Sequence, residues 1–359
     1  MDGDEGQWAD ARPEVDRILA QAVGRRASDV HLEPTAEGYE LRYRVDGLLD
    51  TVRRYDAAAG RGIVNRLMVM GQILTYRIDV PQEGRVRAVV GQQVLDMRLA
   101  VIPSLHGMRA VLRLPAELVQ PRTLQELGLP QPVMDGLLAY ARADAAGMLI
   151  LTGPAGSGKT TTIYALLAEI VELSPGLSVI ALEDPVERAL AGVTQIEVSP
   201  FGQLTYEKAL RSILRQDPQV LMLGEIRDSA TASLAVQAAL SGHRLICTLH
   251  AGTPAGAIAR LAEMGLEPHQ ISSALWGVVN QRLLRRRGGD GYEGRVPAAE
   301  IVVVDDALRS AILRRADVAE LRRAYARGEY QSLAQSAAAL VRQGITDENE
   351  ARRVGLLVV

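Results

Sequence analysis

The order of apolar and polar positions changes character along the chain. Over residues 12–27 the apolar Val15, Ile18, Leu19, Ala22 and Val23 recur at helical spacing, which predicts one short amphipathic helix. The period then drops to two. Tyr39-Glu40-Leu41-Arg42-Tyr43-Arg44-Val45 alternates apolar and charged residues, the pattern of a half-buried strand. Asp46-Gly47 follows as a hairpin pair, with Leu48 to Val52 as the return strand. A helix over roughly 58–74, carried by Ile63, Leu67, Met70 and Leu74, comes next. Strands are then expected around Val86–Val90, Val94–Val101 and Arg109–Leu114, so residues 1–115 read as a small α+β domain.

Residues 116–132, bounded and broken by Pro115, Pro121, Pro130 and Pro132, read as a Pro-rich linker and domain entry. Beyond it, apolar strands at Met148–Leu151, Val179–Leu182, Val220–Leu223 and Leu245–Leu249 alternate with helical stretches. That grammar predicts a parallel sheet with helices on both faces over residues 133–264. Residues 265–359 read as mostly helical, with one strand at Ile301–Val304.

Composition narrows the class. At 359 residues, two domains are expected, and 48% hydrophobic with 23% charged residues is ordinary globular composition. Aromatics are only 4%, with Phe201 the single Phe, so the core must be aliphatic. The net charge of −3 argues against a chain built for bulk nucleic-acid binding. Only two of its 40 basic residues are Lys, Lys159 and Lys208, so a retained Lys invites a chemical reason. Cys247, the one cysteine, excludes an internal disulfide and a cysteine-built zinc site. No run of 18 apolar residues predicts a membrane-spanning helix, and the acidic opening MDGDEGQWAD carries no secretory signal, so a cytosolic or peripheral location is expected.

Gly153-Pro154-Ala155-Gly156-Ser157-Gly158-Lys159-Thr160 matches G-x-x-x-x-G-K-[ST] in full, between an apolar strand and the helix pattern Thr161 to Val171. Its glycines let backbone N–H groups turn around phosphate oxygens, and the following helix adds positive potential. Lys159 would reach the β and γ phosphates of ATP, and the Thr160 hydroxyl would hold Mg²⁺, with Thr161 in the first turn beside them. Two acidic clusters end neighbouring strands: Glu183-Asp184-Pro185-Val186-Glu187 and Gly224-Glu225-Ile226-Arg227-Asp228. Ligands of open parallel sheets sit outside such strand ends, although Asp and Glu there also serve as helix N-caps. A third strand ends in His250, which would border the same site.

These segments resemble those of the type II secretion and type IV pilus assembly ATPases, a secretion-motor branch of the RecA-like P-loop proteins. The likeness runs from about residue 27 to the mid-280s. GPAGSGKTTT (153–162) resembles the family's Walker A segment, LEDPVE (182–187) its Asp box, LRQDPQVLMLGEIRD (214–228) its Walker B segment and SGHRLICTLH (241–250) its His box. ASDVHLEP (27–34), VPQEGRV (80–86) and IPSLHGMRAVLRL (102–114) resemble the small, PAS-like domain that precedes the motor. The resemblance implies a RecA-like ATPase, a hexamer binding ATP and Mg²⁺ between domains, and mechanical work on an inner-membrane platform protein and cytoplasmic docking proteins. Glu183 becomes the general base, Glu225 acts on the Mg²⁺ shell, His250 contacts the γ phosphate, and small-domain arginines approach the phosphates, with Arg77, Arg85 and Arg98 as candidates.

The chain departs from the family pattern in places. The stretch Arg285 to Arg295 lacks the four-cysteine zinc module of many members, so no zinc is expected. Ala251-Gly252 replaces the usual Thr-Asn after the His box, and Gln219 replaces an Asp. Leu261-Ala262-Glu263-Met264-Gly265-Leu266 and Val279-Asn280-Gln281-Arg282-Leu283 resemble the secretion and extension branch more than the retraction branch. The competing readings are a pilus-retraction motor, a nucleic-acid translocase, a non-hydrolysing nucleotide scaffold and a small-molecule kinase.

Overall fold

Alternation in the first hundred residues builds an antiparallel sheet. The computed structural model describes residues 11–115, 123–142, 146–198, 204–289 and 291–356. The opening decapeptide, on which the absence of a secretory signal was read, and linker residues 116–122 lie outside the described residues. The chain forms two compact units, Met1–Gln120 and Pro121–Val359.

In the first unit, α1 (Arg12–Gly24) precedes β1 (Asp29–Thr35), β2 (Gly38–Val45) and β3 (Leu48–Tyr55); α2 (Ala57–Met70) then leads to β4 (Gln82–Val90), β5 (Gln93–Ser104) and β6 (Gly107–Arg113). The strands pair antiparallel in the order β3-β2-β1-β6-β5-β4. Ile18 and Leu19 of α1 and Ile63 and Leu67 of α2 share one core with Leu41, Tyr43, Met97 and Leu99 of the sheet. The Tyr43 hydroxyl donates to the Ile18 carbonyl at 3.0 Å, so the one polar atom of that ring is satisfied. The interior strand β1 was absent from the sequence reading. Pro34 and the polar Asp29, His31 and Glu33 mask it, yet Asp29 and His31 are buried beneath neighbouring side chains.

The second unit opens with a 3₁₀ turn at Gln125–Leu127, inside the stretch read as linker, and α3 (Gln131–Arg142). It continues β7 (Gly147–Thr152), α4 (Lys159–Leu173), β8 (Val179–Glu183), β9 (Thr194–Glu197), α5 (Tyr206–Ile213), β10 (Val220–Leu223), α6 (Ser229–Leu240), β11 (Arg244–Leu249), α7 (Pro254–Glu263) and α8 (Pro268–Ala274). The strands β12 (Leu275–Gly288) and β13 (Gly291–Val303) follow, then α9 (Asp306–Leu313), α10 (Val318–Tyr325), α11 (Leu333–Arg342) and α12 (Glu348–Arg353). The sheet order is β13-β12-β7-β11-β10-β8-β9, parallel throughout except for the antiparallel β12–β13 pair. Every residue of β7, β8 and β10 is buried, which is why these strands read as unbroken apolar runs. Helices α3 and α4 cover one face, and α5 to α10 the other. This is the doubly covered α/β core expected from the alternation of strands and helices.

The region after residue 265 requires a correction. It holds a long hairpin where one strand, Ile301–Val304, was expected. From Gly277 to Gln281, β12 is buried on both faces, so it has no period-two signature, and three arginines follow at 285–287. Leu284, Val296 and Ala298 of this hairpin pack on Leu333, Ala337 and Leu340 of α11.

Beneath the hairpin, the buried Glu350 carboxylate accepts from the Arg285 N–H and guanidinium and from Arg353. Burial alone raises its pKa, but the hydrogen bonds from Arg353 and Arg285 outweigh that and hold it at about 2. A carboxyl depressed below its unfolded value of 4.5 stabilises the fold fully above that value and progressively less as pH falls towards 2. The loss on acidification is on the order of 2–3 kcal/mol. Urea midpoints measured between pH 6 and pH 2.5 should fall less steeply for Glu350→Gln, whose pH 6 stability is already reduced.

Candidate active site

The phosphate-loop motif sits between the buried end of β7 and the start of α4. Gly153, Gly156 and Gly158 all hold positive φ, at 142°, 74° and 89°. A Cβ on Gly153 would lie 2.4 Å from the Gln281 backbone carbonyl, so that position admits no side chain; at Gly158 the φ of 89° strains any other residue, and its Cβ would press to 2.7 Å on the Gln281 Nε2. Pro154, Ala155 and Gly156 form the exposed crest, and Thr160 and Thr161 are half-buried in the first turn of α4. Gly158 caps α4 without a side-chain acceptor, which leaves the first-turn N–H groups aimed out of the helix end. Ser157 Oγ is buried without a protein partner. An uncapped helix end, a buried orphan hydroxyl and an inward ammonium fit a polyphosphate.

Lys159 Nζ donates to the carbonyls of Gly153 and Pro154, both at 2.9 Å. Burial lowers its pKa; the Glu225 carboxylate opposes that shift and Arg282 adds to it. These two charges therefore share the field of Lys159.

Strand order does the rest of the assembly. With β7, β11, β10 and β8 adjacent and parallel, Thr152, His250, Glu225 and Glu183 stand at or just beyond one rim of the sheet. His250 Nε2 lies 2.7 Å from Glu225 Oε1, and Arg227 Nε donates to Glu225 Oε2 at 2.7 Å. Arg227 also reaches Asp184 at 3.3 Å, joining the two acidic clusters. A cleft of about 340 Å³ lined by Glu225, Arg227, His250, Arg260 and Met264 opens beside them. The capping alternative holds for Asp228, which accepts from the Thr231 N–H at the start of α6. Thr160 and Glu225 supply oxygen donors suited to Mg²⁺, which prefers hard ligands and keeps part of its water shell.

Glu183 is only 3% exposed. Its oxygens accept from the Tyr164 hydroxyl and from Gln195 Nε2, the latter at 2.9 Å. Burial raises its pKa, the two hydrogen bonds pull it down, and the neighbouring Glu187 and Glu197 push it up again.

Three residues of β12 join the site although the sequence reading used them only as a branch marker. Gln281 Nε2 donates to the Ser157 carbonyl at 2.8 Å, and Gln281 Oε1 accepts from Thr162 Oγ1 at 3.0 Å, clamping loop to helix. Asn280 Nδ2 donates to the Gly252 carbonyl at 3.0 Å and to Glu300 at 2.8 Å, while Thr152 and Ala251 exchange hydrogen bonds. The segment that follows His250 is thereby held from two strands. Arg282 Nη1 donates to the Gln281 carbonyl at 3.2 Å, and burial lowers its pKa against the pull of Glu300. The available signal was three consecutive polar residues inside an apolar run. Gln281→Ala should weaken ADP binding about tenfold, the value of one or two hydrogen bonds, as read by a fluorescent-nucleotide titration.

Arg77, Arg85 and Arg98 belong to the first unit. All three are exposed; Arg77 follows a turn after α2, and Arg85 and Arg98 are direct cross-strand partners on β4 and β5. Arg98 is also paired with Arg113, which Asp29 bridges at 3.1 Å.

A profile of the Type II/IV secretion system protein family matches residues 7–353, nearly the whole chain. The chain belongs to that family, as a P-loop ATPase with a RecA-like core. It is 36% identical over 360 residues to the type II secretion system protein HxcR of Pseudomonas aeruginosa, covering 95% of this chain and 76% of that one. It is 34% identical over 375 residues to the type IV pilus assembly ATPase PilB of Thermus thermophilus, covering 94% of this chain but 42% of PilB. Among solved structures, the pilus retraction motor PilT with bound ADP superposes with a TM-score of 0.68 at 28% identity, covering 95% and 96% of the two chains. The Legionella pneumophila ATPase DotB shares the fold, with a TM-score of 0.75 at 24% identity over 95% of each chain.

Proposed function

We propose that this chain is the ATP-hydrolysing motor subunit of a type II secretion or type IV pilus assembly machine. It works as a hexamer in the cytoplasm, peripheral to the inner membrane through a platform protein and cytoplasmic docking proteins. Among the described residues no helix is long and apolar enough to cross a membrane, so attachment through partners suits this reading. Nucleic acid plays no part in it, and neither does zinc.

The observation that carries the reading is one rim holding an uncapped phosphate loop, the Glu225–His250 pair and a buried carboxylate, Glu183. The loop N–H groups and Lys159 bind and orient the phosphates. Thr160 and Glu225 hold Mg²⁺, which supplies charge neutralisation when bound. Water attacks the γ phosphorus, the bond from that phosphorus to the bridging oxygen breaks, and its electron pair leaves with ADP. Glu183 accepts the proton of the attacking water, and His250 contacts the transferred group. Arg77, Arg85 and Arg98 of a neighbouring copy add planar donors to the charge developing on the phosphates.

Mixing variants tests the shared site. Arg85→Ala/Arg98→Ala and Glu183→Gln should each be inactive alone, and mixing them should recover part of the turnover, because some sites then draw an intact part from each copy. No recovery at any ratio, with mixed assembly verified, contradicts an arginine supplied from a neighbour. The retraction reading is retained as the alternative because the PilT likeness spans nearly all of both chains. Loss of pilus assembly or secretion on gene deletion favours the first reading, and hyperpiliation favours the second.

A further inference from the structure

The two hydrogen bonds on Glu183 come from different elements and leave each donor a single assignment. Tyr164 lies on α4, the helix that begins at the phosphate loop, and its ring is fully buried. Its oxygen accepts the Glu187 N–H at 3.2 Å, which directs its only proton to Glu183. Gln195 lies on β9, paired beside β8. Its Oε1 accepts the Leu190 N–H at 2.8 Å, which fixes the amide so that Nε2 faces both Glu183 Oε1 and the Arg188 carbonyl, each at 2.9 Å. Tyr164 therefore connects the phosphate-loop helix to one carboxylate oxygen, and Gln195 anchors the other to the sheet.

We propose that Tyr164 and Gln195 are positioning residues for hydrolysis, which keep the Glu183 carboxylate ionised and fixed in direction, with Tyr164 tying that direction to the phosphate-loop helix. The proposal rests on Glu183 being the base. The other charged and titratable groups around it are Glu187 after β8, Glu197 on β9, Arg188 over the Tyr164 ring at 5.4 Å and Tyr206 on α5, with Asp184 and Arg227 beyond. Burial, Glu187 and Glu197 all favour the neutral carboxyl, and the two hydrogen bonds favour the anion. Removing the Tyr164 proton must therefore raise the pH at which the base becomes active.

The test is single-turnover ATP hydrolysis by the full chain from pH 5.5 to 9, for wild type, Tyr164→Phe, Gln195→Ala and Glu183→Gln, with ADP binding measured in parallel. Tyr164→Phe keeps the ring and the packing. It should lower the rate at pH 7 about tenfold, move the acid limb upward by roughly one pH unit, and leave ADP affinity within about twofold. Gln195→Ala should move the limb in the same direction, and it carries the test if Tyr164→Phe does not fold. An unmoved acid limb in both variants, with Glu183→Gln inactive, overturns the positioning role while leaving the base in place. Faster hydrolysis by Tyr164→Phe also overturns it, since the hydrogen bond would then restrain Glu183. Glu183→Gln retaining wild-type turnover removes the base assignment itself.

Discussion

Lys159→Ala is expected to fold like wild type and to lose ATP turnover by about 10²–10³-fold or more. The ammonium is set between the Gly153 and Pro154 carbonyls, in a field shared with Glu225 and Arg282, so no other cation occupies the same point. It is half-buried at the start of α4, and its removal leaves the core beneath that helix untouched. Lys159→Arg should fail almost as badly. A planar guanidinium cannot place a compact charge between two carbonyls 2.9 Å away, which is the physical reason for a Lys in a chain whose basic residues are otherwise nearly all Arg. Steady-state phosphate release, with thermal unfolding as the control for folding, checks both variants.

Glu183→Gln is expected to bind nucleotide normally and to lose turnover by about 10²–10⁴-fold, the range for removal of a positioned general base. The amide is nearly isosteric, but it cannot take a proton from water. Its NH₂ group would also face either the Tyr164 proton or the Gln195 amide, so one of those hydrogen bonds becomes a clash of donors. Retained ADP binding alongside lost hydrolysis separates this variant from a phosphate-loop lesion.

How much of this was readable depends on distance along the chain. The phosphate loop spans eight contiguous residues whose glycines state their own backbone requirement, so loop, Lys159 and Thr160 were legible directly. The strand ends bearing Glu183 and Glu225 were legible because β8 and β10 are short runs buried on both faces. Gln281 was not, because its contact with Ser157 crosses 124 residues of sequence, and β12 shows no alternation where it matters. Tyr164 lies two residues past the phosphate-loop segment, within a run of α4 from Thr162 to Leu167 that is buried all round, so only the fold brings its hydroxyl onto β8. Gln195 sits on a four-residue strand too short for any periodic signal. Long-range polar partners lie outside what local pattern encodes, whereas motif and burial pattern are local by nature.

The central claim, an ATP-driven motor whose sites are completed by neighbouring copies, is tested most directly by steady-state ATP hydrolysis of the purified chain over a wide range of protein concentration. Specific activity should rise with concentration and level off as assembly completes, with Lys159→Ala and Glu183→Gln inactive throughout. ATP binding without turnover at every concentration, with or without candidate platform partners, would contradict the motor and leave a nucleotide-binding scaffold in its place.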